Sequence, residues 1–182
     1  MKSFNVPSRS EVNVENQANF DSLQKLIGMV PNLYATIAYS DHGLSRYLAF
    51  QDAKTSLSNK EKEAVNLVVS QVNGCRYCQS AHTVLGKMNG LNENEILKLR
   101  NGYSTDPKLN ALVGIAKDIT ENKGRVTKEN LEAFYAAGYD NGSLVDVILQ
   151  ISDKITMNYL HNLTKIPIDF PEAVIIDDAV TV

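Results

Sequence analysis

Apolar residues recur at helical spacing along almost the whole chain, and this periodicity most constrains the fold. The apolar stripes are separated by helix-start and helix-stop signals, and no alternating pattern is strong enough to predict a sheet. Two of the starts are capping boxes, in which a glutamate follows three residues after the cap: Ser58 with Glu61, and Asn92 with Glu95. The sequence therefore predicts an all-α fold, a bundle of about seven or eight helices.

The chain has 182 residues, which is enough for one domain with its own core. Residues 1–16 are polar and predict an irregular N-terminal arm, and residues 17–182 are expected to form a single helical domain. The helical pattern stops near Ile166, and Pro167 and Pro171 would break a continuing helix, so an extended C-terminal tail is expected. We expect the helices at residues 17–27, 31–52, 59–72, 75–88, 92–100, 107–121, 127–138 and 143–161.

Composition excludes several classes of function. The net charge is -3 and no run of Lys or Arg occurs, which argues against nucleic-acid binding. No apolar stretch approaches the roughly 20 residues that a membrane span needs. The first 20 residues have no apolar run after Lys2, so they do not resemble a signal peptide, and a cytoplasmic location is expected.

Two cysteines, Cys75 and Cys78, are followed at helical spacing by His82, and the chain has no other cysteine. At about 100° per residue, these three positions share one face of a helix. The turn signal Asn73-Gly74 places the cysteines in the first helical turn, where the positive end of the dipole favours a thiolate and should lower the thiol pKa. His82 is in position to take or relay a proton. The pattern is typical of a dithiol/disulfide pair beside an acid/base group.

Three structural interpretations of the cysteines are less favoured. They could be inert core residues, because free cysteine packs as a small hydrophobe. A structural zinc site normally has four ligands, and a second Cys or His pair is missing, so we expect no metal ion and no cofactor. A structural disulfide would close only a short loop and would be unusual in a reducing compartment.

Two groups of residues carry a resemblance to a known family. The first is Leu57-Ser58-Asn59-Lys60-Glu61-Lys62-Glu63-Ala64-Val65, Val69-Ser70, Asn73-Gly74-Cys75, Tyr77-Cys78 and Ala81-His82. The second is the C-terminal stretches Asn158-Tyr159-Leu160-His161-Asn162-Leu163-Thr164 and Pro167-Ile168-Asp169-Phe170-Pro171. In these residues the chain resembles the alkyl hydroperoxidase D-like group of the carboxymuconolactone decarboxylase superfamily, and in particular its peroxidase-related members. The resemblance extends loosely from about residue 20 to 171.

This resemblance implies an antioxidant thiol peroxidase that uses a hydroperoxide substrate and an external dithiol reductant. It implies that Cys78 attacks the peroxide, that Cys75 resolves the product, and that His82 and Glu63 form the proton relay. It also implies a homo-oligomer, a trimer or a larger ring such as a hexamer. Some members carry a histidine between the cysteines where this chain has Tyr77, a poor base at neutral pH, so a relay that is shorter or that uses water is expected.

Three other functions remain open at this stage. The first is a thiol-disulfide reductase or redox adaptor with little peroxidase activity. The second is a decarboxylase acting on a cyclic lactone acid, and the third is a non-enzymatic assembly module that senses redox state. Of the remaining histidines, we expect His42 at the surface and His161 in a structural role.

Overall fold

The computed structural model describes residues 4–176, and in that range all regular secondary structure is helical. The predicted all-α bundle is confirmed, with nine α-helices in the described range in place of the expected seven or eight. A short 3₁₀ helix, Arg9–Glu11, precedes them. The α-helices are α1 Val14–Ile27, α2 Asn32–Ile37, α3 Gly43–Gln51, α4 Asn59–Val72, α5 Arg76–Met88, α6 Glu93–Arg100, α7 Pro107–Glu121, α8 Lys128–Ala136 and α9 Asn141–Thr164.

The chain divides into two compact units. One contains residues 4–54 and Leu160–Asp169, and the other contains Thr55–Tyr159 and residues 170–176. The expected division into an N-terminal arm and a single domain therefore stays a prediction. No helix in the described range is long and apolar enough to cross a membrane.

Helix α4 is the centre of the second unit, and it packs against α5, α6 and α7. It begins where the sequence predicts, because the Ser58 side chain accepts a hydrogen bond from the Glu61 backbone N–H and the Glu61 carboxylate accepts one from the Ser58 N–H. From Ala64 to Ser70 every residue of α4 is buried. A helix enclosed in this way can hold a polar side chain at a fixed position inside the core.

The prediction of one continuous helix over residues 31–52 is wrong, because the structure has two helices there, α2 and α3. The interruption is stabilised from another part of the same unit. The amide nitrogen of buried Asn16 donates to the carbonyl oxygens of Ala38, Ser40 and Asp41, at 3.1, 3.2 and 3.4 Å. These three carbonyl groups therefore accept a hydrogen bond although no continuous helix supplies one, and the chain can turn between α2 and α3.

Helix α1 also begins earlier than expected. Asn13 caps it by accepting a hydrogen bond from the Asn16 backbone N–H, so Val14 is already helical although it lies within the predicted arm. The expected tail has no regular secondary structure from residue 165 to 176, and its last residues lie outside the described range. Asp169 ties the tail to its own unit by accepting a hydrogen bond from the backbone N–H of Asn32, at the start of α2.

The tail beyond Phe170 packs on α5 and α6. The guanidinium groups of Arg76 and Arg100 donate to the carbonyl oxygens of Ala173 and Val174, at 2.6 and 2.8 Å. The backbone N–H of Ala173 donates to Ser80 on α5 at 3.0 Å. The tail therefore lies on the side of α5 that carries Arg76 and Ser80.

Glu61 should make the stability of the protein depend on acid pH. Burial would raise its pKa, but hydrogen bonds from Tyr139, Ser58 and Lys108 outweigh burial and lower the pKa from 4.5 to about 2. A lowered folded-state pKa stabilises the protein above the unfolded value, and this contribution is lost as the pH falls from about 4.5 through about 2. We expect Glu61→Gln to lower the free energy of unfolding at pH 7 by about 1–2 kcal/mol and to flatten its decrease in that acid range. Urea unfolding at several pH values measures both effects.

The matched control is Glu129→Gln, because Glu129 is exposed on α8. This control should change neither the free energy of unfolding at pH 7 nor its acid dependence. A pH dependence of unfolding in Glu61→Gln that equals that of the wild type would show that these hydrogen bonds do not favour the ionised carboxylate.

Candidate active site

The turn between α4 and α5 positions the cysteine pair. Gly74 has φ = +63°, a left-handed conformation that glycine adopts without strain. The backbone N–H of the next residue, Cys75, donates a hydrogen bond to the carbonyl oxygen of Ser70 at 3.0 Å. Cys75 is the N-cap of α5, and its Sγ accepts a hydrogen bond from the Cys78 N–H at 3.3 Å. The turn thus places one sulfur at the start of the helix and the other in its first turn.

The two sulfur atoms lie in direct contact. Cys75 Sγ and Cys78 Sγ are 2.7 Å apart, and the two residues are thiols that are not joined by a disulfide bond. Both side chains are buried, with exposed fractions of 0% and 2%. Only a small movement separates this pair from a disulfide bond, whose sulfurs lie about 2.05 Å apart.

A second contact joins the predicted acid/base residues. His82 Nδ1 lies 2.8 Å from Glu63 Oε2, and both side chains are buried. Asn66 donates to the other carboxylate oxygen, Oε1, at 3.2 Å. His82 is one turn after Cys78, on the same side of α5. The structure therefore brings the four predicted site residues into two contacting pairs, and their catalytic roles stay predictions.

The pKa of Cys78 differs from the sequence-based expectation. Burial raises it above the ordinary value, and Cys75 raises it further, first through the hydrogen bond between the two sulfurs and then because a charge on one sulfur opposes a charge on the other. The prediction of a lowered thiol pKa is therefore wrong for Cys78, because burial and the neighbouring sulfur shift this pKa upward. The sulfur pair therefore resists carrying two negative charges.

The pKa of Glu63 is shifted in the opposite direction, downward. Burial would raise its pKa, but the charge and hydrogen bond of His82 and the charge of Lys154 outweigh burial, so the pKa lies below its ordinary value. Glu63 is therefore ionised at neutral pH. A carboxylate in this position accepts the proton of Nδ1 and leaves Nε2 of His82 as the nitrogen that can act as a base.

Two residues of α9 that the sequence analysis did not select complete the site. The side chain of Asn158 hydrogen-bonds Cys78, and the charge of Lys154 acts on Cys78, both in the direction that lowers its pKa. Both side chains are buried, at 0% and 3% exposure. The sequence does contain a signal for them, because they are polar residues four apart within the apolar stripe of the last helix.

The remaining residues singled out from the sequence have structural surroundings. The Tyr77 ring packs edge-on against Phe170, with centroids 5.6 Å apart. His42 is exposed and pairs with Glu15 at 2.9 Å. Buried His161 contacts the carbonyl oxygen of Ile166 through Nε2 at 3.2 Å. Among the described residues, no group of three or more His, Cys, Asp or Glu side chains has the arrangement of a metal site.

Comparison with known proteins gives the family context. Residues 42–118 match the model of the carboxymuconolactone decarboxylase family. This segment contains the whole Cys-x-x-Cys turn, His82 and Glu63. No curated protein matches the chain.

Several solved structures share the fold. An uncharacterised peroxidase-related protein from Silicibacter sp. TM1040 aligns with a TM-score of 0.79 at 20% identity, over 94% of this chain and 91% of that one. A peroxidase-related protein from Ralstonia eutropha JMP134, described as an alkylhydroperoxidase AhpD core, aligns with a TM-score of 0.79 at 19% identity, over 88% of each chain. The debrominase Bmp8 in complex with 2,3,4-tribromopyrrole aligns with a TM-score of 0.75 at 15% identity, over 92% of this chain and 93% of that one.

These structures share the helical architecture described above, and at such identities they establish the fold alone. The family model adds sequence evidence for the segment that contains the sulfur pair and the His82–Glu63 contact. Residues 42–118 are thus similar to the carboxymuconolactone decarboxylase family, and the chain shares its fold with the peroxidase-related structures named above.

Proposed function

We propose that this protein is a thiol peroxidase that reduces hydroperoxides through a dithiol/disulfide cycle and serves in antioxidant defence. One observation carries the proposal: two thiol sulfurs are in contact at the start of the helix that also carries a histidine held by a buried carboxylate. Such a site contains a nucleophile, a second thiol to resolve the product, and a group that can move a proton.

The first step is attack on the peroxide. His82 withdraws the thiol proton of Cys78 while ionised Glu63 stabilises the imidazolium that forms. The thiolate attacks the distal oxygen of the hydroperoxide, the O–O bond breaks, and the alkoxide leaves with the proton from His82. Cys78 is oxidised to a sulfenic acid, and the hydroperoxide is reduced to an alcohol.

The second step returns the site to its starting state. The Cys75 thiol attacks the Cys78 sulfenic acid, so that a disulfide forms and water leaves. An external dithiol then reduces this disulfide by exchange, becomes a disulfide itself, and restores both thiols. The sulfur contact of 2.7 Å supports a fast resolving step, because the sulfurs start next to one another.

The burial of both sulfurs favours a small oxidant over a protein disulfide as the substrate of the attacking thiol. This observation weighs against a redox adaptor that acts on a partner protein's disulfide, and by the same argument the external reductant of the cycle is a small dithiol. A decarboxylase acting on a lactone needs no pair of thiols in contact. The peroxide class, the dithiol donor and assembly as a trimer or hexamer remain predictions.

Trapping of the sulfenic acid tests the proposed cycle. In Cys75→Ser, one equivalent of hydroperoxide should convert Cys78 to a sulfenic acid that persists, since the resolving thiol is missing. A cyclic 1,3-dione should then add to Cys78, and mass spectrometry should locate it there. In the wild type the same treatment should give the Cys75–Cys78 disulfide and almost no adduct.

Cys75→Ser/Cys78→Ser is the control for non-specific labelling and should give no adduct. The proposal fails if Cys75→Ser is folded and remains unoxidised by a several-fold excess of hydroperoxide.

A further inference from the structure

Three polar residues on one side of α9 face α4. They are Gln150, Lys154 and Asn158, and they follow one another at intervals of four residues. The side-chain amide of Gln150 donates to Asn66 Oδ1 at 2.8 Å, and the amide of Asn158 donates to Ser70 Oγ at 3.3 Å. Because its two neighbours on this side are fixed against α4, the side chain of Lys154 points into the same buried layer.

Lys154 is a buried cation among polar groups. Its side chain is 3% exposed, and its Nζ lies 3.4 Å from Oδ2 of Asp153, which is also buried. Burying an ammonium is costly unless anionic groups lie near it. Besides Asp153, the charge of Lys154 acts on Glu63 and on Cys78. The cation therefore lies within electrostatic reach of both the attacking sulfur and the proposed proton relay.

A continuous polar chain also links this cation to the relay. Asp153 Oδ2 lies 3.4 Å from Gln150 Nε2, which also donates to Asn66, and Asn66 in turn donates to Glu63. Glu63 contacts His82. The side chains that hold Lys154 thus also hold the carboxylate that orients the imidazole.

We propose that Lys154 is a positioning residue whose fixed positive charge stabilises the Cys78 thiolate inside the buried site. This inference deepens the proposed function, on which it rests for the role of the thiolate. Ionising Cys78 transfers a proton to His82 and leaves a thiolate among two carboxylates. Without Lys154, the site would then contain three negative charges and one imidazolium, and desolvation would oppose the thiolate strongly.

The titratable groups around the site come from three helices. Cys75 and Lys154 act on Cys78 directly, Lys154 and His82 act on Glu63, and Asp153 contacts Lys154. Replacing Cys75 with serine removes the second thiol. In this background, the pH dependence of Cys78 alkylation reports the ionisation of a single sulfur and requires no peroxide.

In the Cys75→Ser background, Lys154→Met should move the midpoint of Cys78 alkylation upward by about one pH unit, so that the rate at pH 7 falls about tenfold. Methionine keeps much of the side-chain volume and removes the charge. Lys154→Arg should stay within about half a unit of the parent, because it retains the charge. The matched control is Lys128→Met, on the exposed side of α8, which should leave the midpoint unchanged.

For Asp153→Asn, we expect the pH midpoint of Cys78 alkylation to shift in the opposite direction. Removing this negative charge leaves the charge of Lys154 less compensated, so the midpoint should move downward. A folded Lys154→Met variant with the parent midpoint overturns the inference. If Lys154→Met does not fold, Asp153→Asn decides: a downward shift supports the inference, and an unchanged or upward midpoint overturns it. A shift of the predicted sign in a protein that does not consume peroxide would leave Lys154's role intact and refute the peroxidase.

Discussion

Replacing Cys78 with serine is expected to lower the rate of hydroperoxide consumption by about 1,000-fold or more. The serine hydroxyl occupies nearly the same volume but is neither acidic enough to form the anion at neutral pH nor oxidised by a peroxide. The sulfur at this position lies on the same side of α5 as His82 and receives a hydrogen bond from Asn158. Peroxide consumption with an excess of a dithiol reductant measures the effect.

Cys75→Ser is the matched control, because it removes the neighbouring sulfur and keeps Cys78. Without added reductant, it should consume about one equivalent of hydroperoxide per chain and then stop at the Cys78 sulfenic acid. An unchanged rate in Cys78→Ser would exclude Cys78 as the nucleophile. If Cys78→Ser retains the first equivalent and Cys75→Ser loses it, the two roles are exchanged. Such an exchange of roles is chemically reasonable, because Cys75 is the N-cap of α5 and its sulfur accepts a hydrogen bond from the Cys78 N–H.

Most helix boundaries could be predicted because their signals are local. The cap at Ser58 and the proline at the start of α7 act within one turn, and both helices occur where the sequence predicts them. The interruption between α2 and α3 could not be predicted in this way. It depends on Asn16, which lies on another helix and binds carbonyl groups more than 20 residues away.

The same distinction applies to the site. Spacing alone brings Cys75, Cys78 and His82 together, since they belong to one helix and its cap. Only the family resemblance indicates Glu63. Its neighbours in the sequence are charged, so nothing in the local pattern indicates that its side chain is buried. The direction of the Cys78 pKa shift depends on burial by neighbouring helices and on the neighbouring sulfur, and the local spacing does not reveal the burial.

Buried charge is the part of the site that sequence patterns describe least. Lys154 occurs in an apolar stripe, where a lysine is unusual, but the stripe does not show which helix it faces. Only the packed structure shows that α9 brings the cation to the layer shared by Asn66 and Ser70. A local pattern can therefore identify a reactive pair without identifying the groups that set its charge.

Replacing Glu63 with glutamine is expected to lower peroxide turnover at pH 7 by about 100-fold or more, which is typical for the loss of acid/base assistance. Glutamine preserves the size of the side chain and can still accept a hydrogen bond from His82, but it cannot stabilise an imidazolium by charge. The difference in turnover between Glu63→Gln and the wild type should become smaller as the pH rises, because hydroxide then removes the thiol proton without help from His82. The pH dependence of turnover, measured from about pH 6 to 9, tests this expectation.

Glu61→Gln provides the matched control for Glu63→Gln, since Glu61 is a buried glutamate two residues earlier on α4 that contacts Lys108 and Tyr139. Its turnover at pH 7 should equal that of the wild type, although its free energy of unfolding is lower. If both variants lose turnover equally, the loss reflects a general disturbance of α4. If Glu63→Gln is folded and retains wild-type turnover at every pH, Glu63 has no part in the relay. A loss specific to Glu63 that diminishes at high pH requires a carboxylate acting on proton transfer, because damage to packing would persist across the pH range.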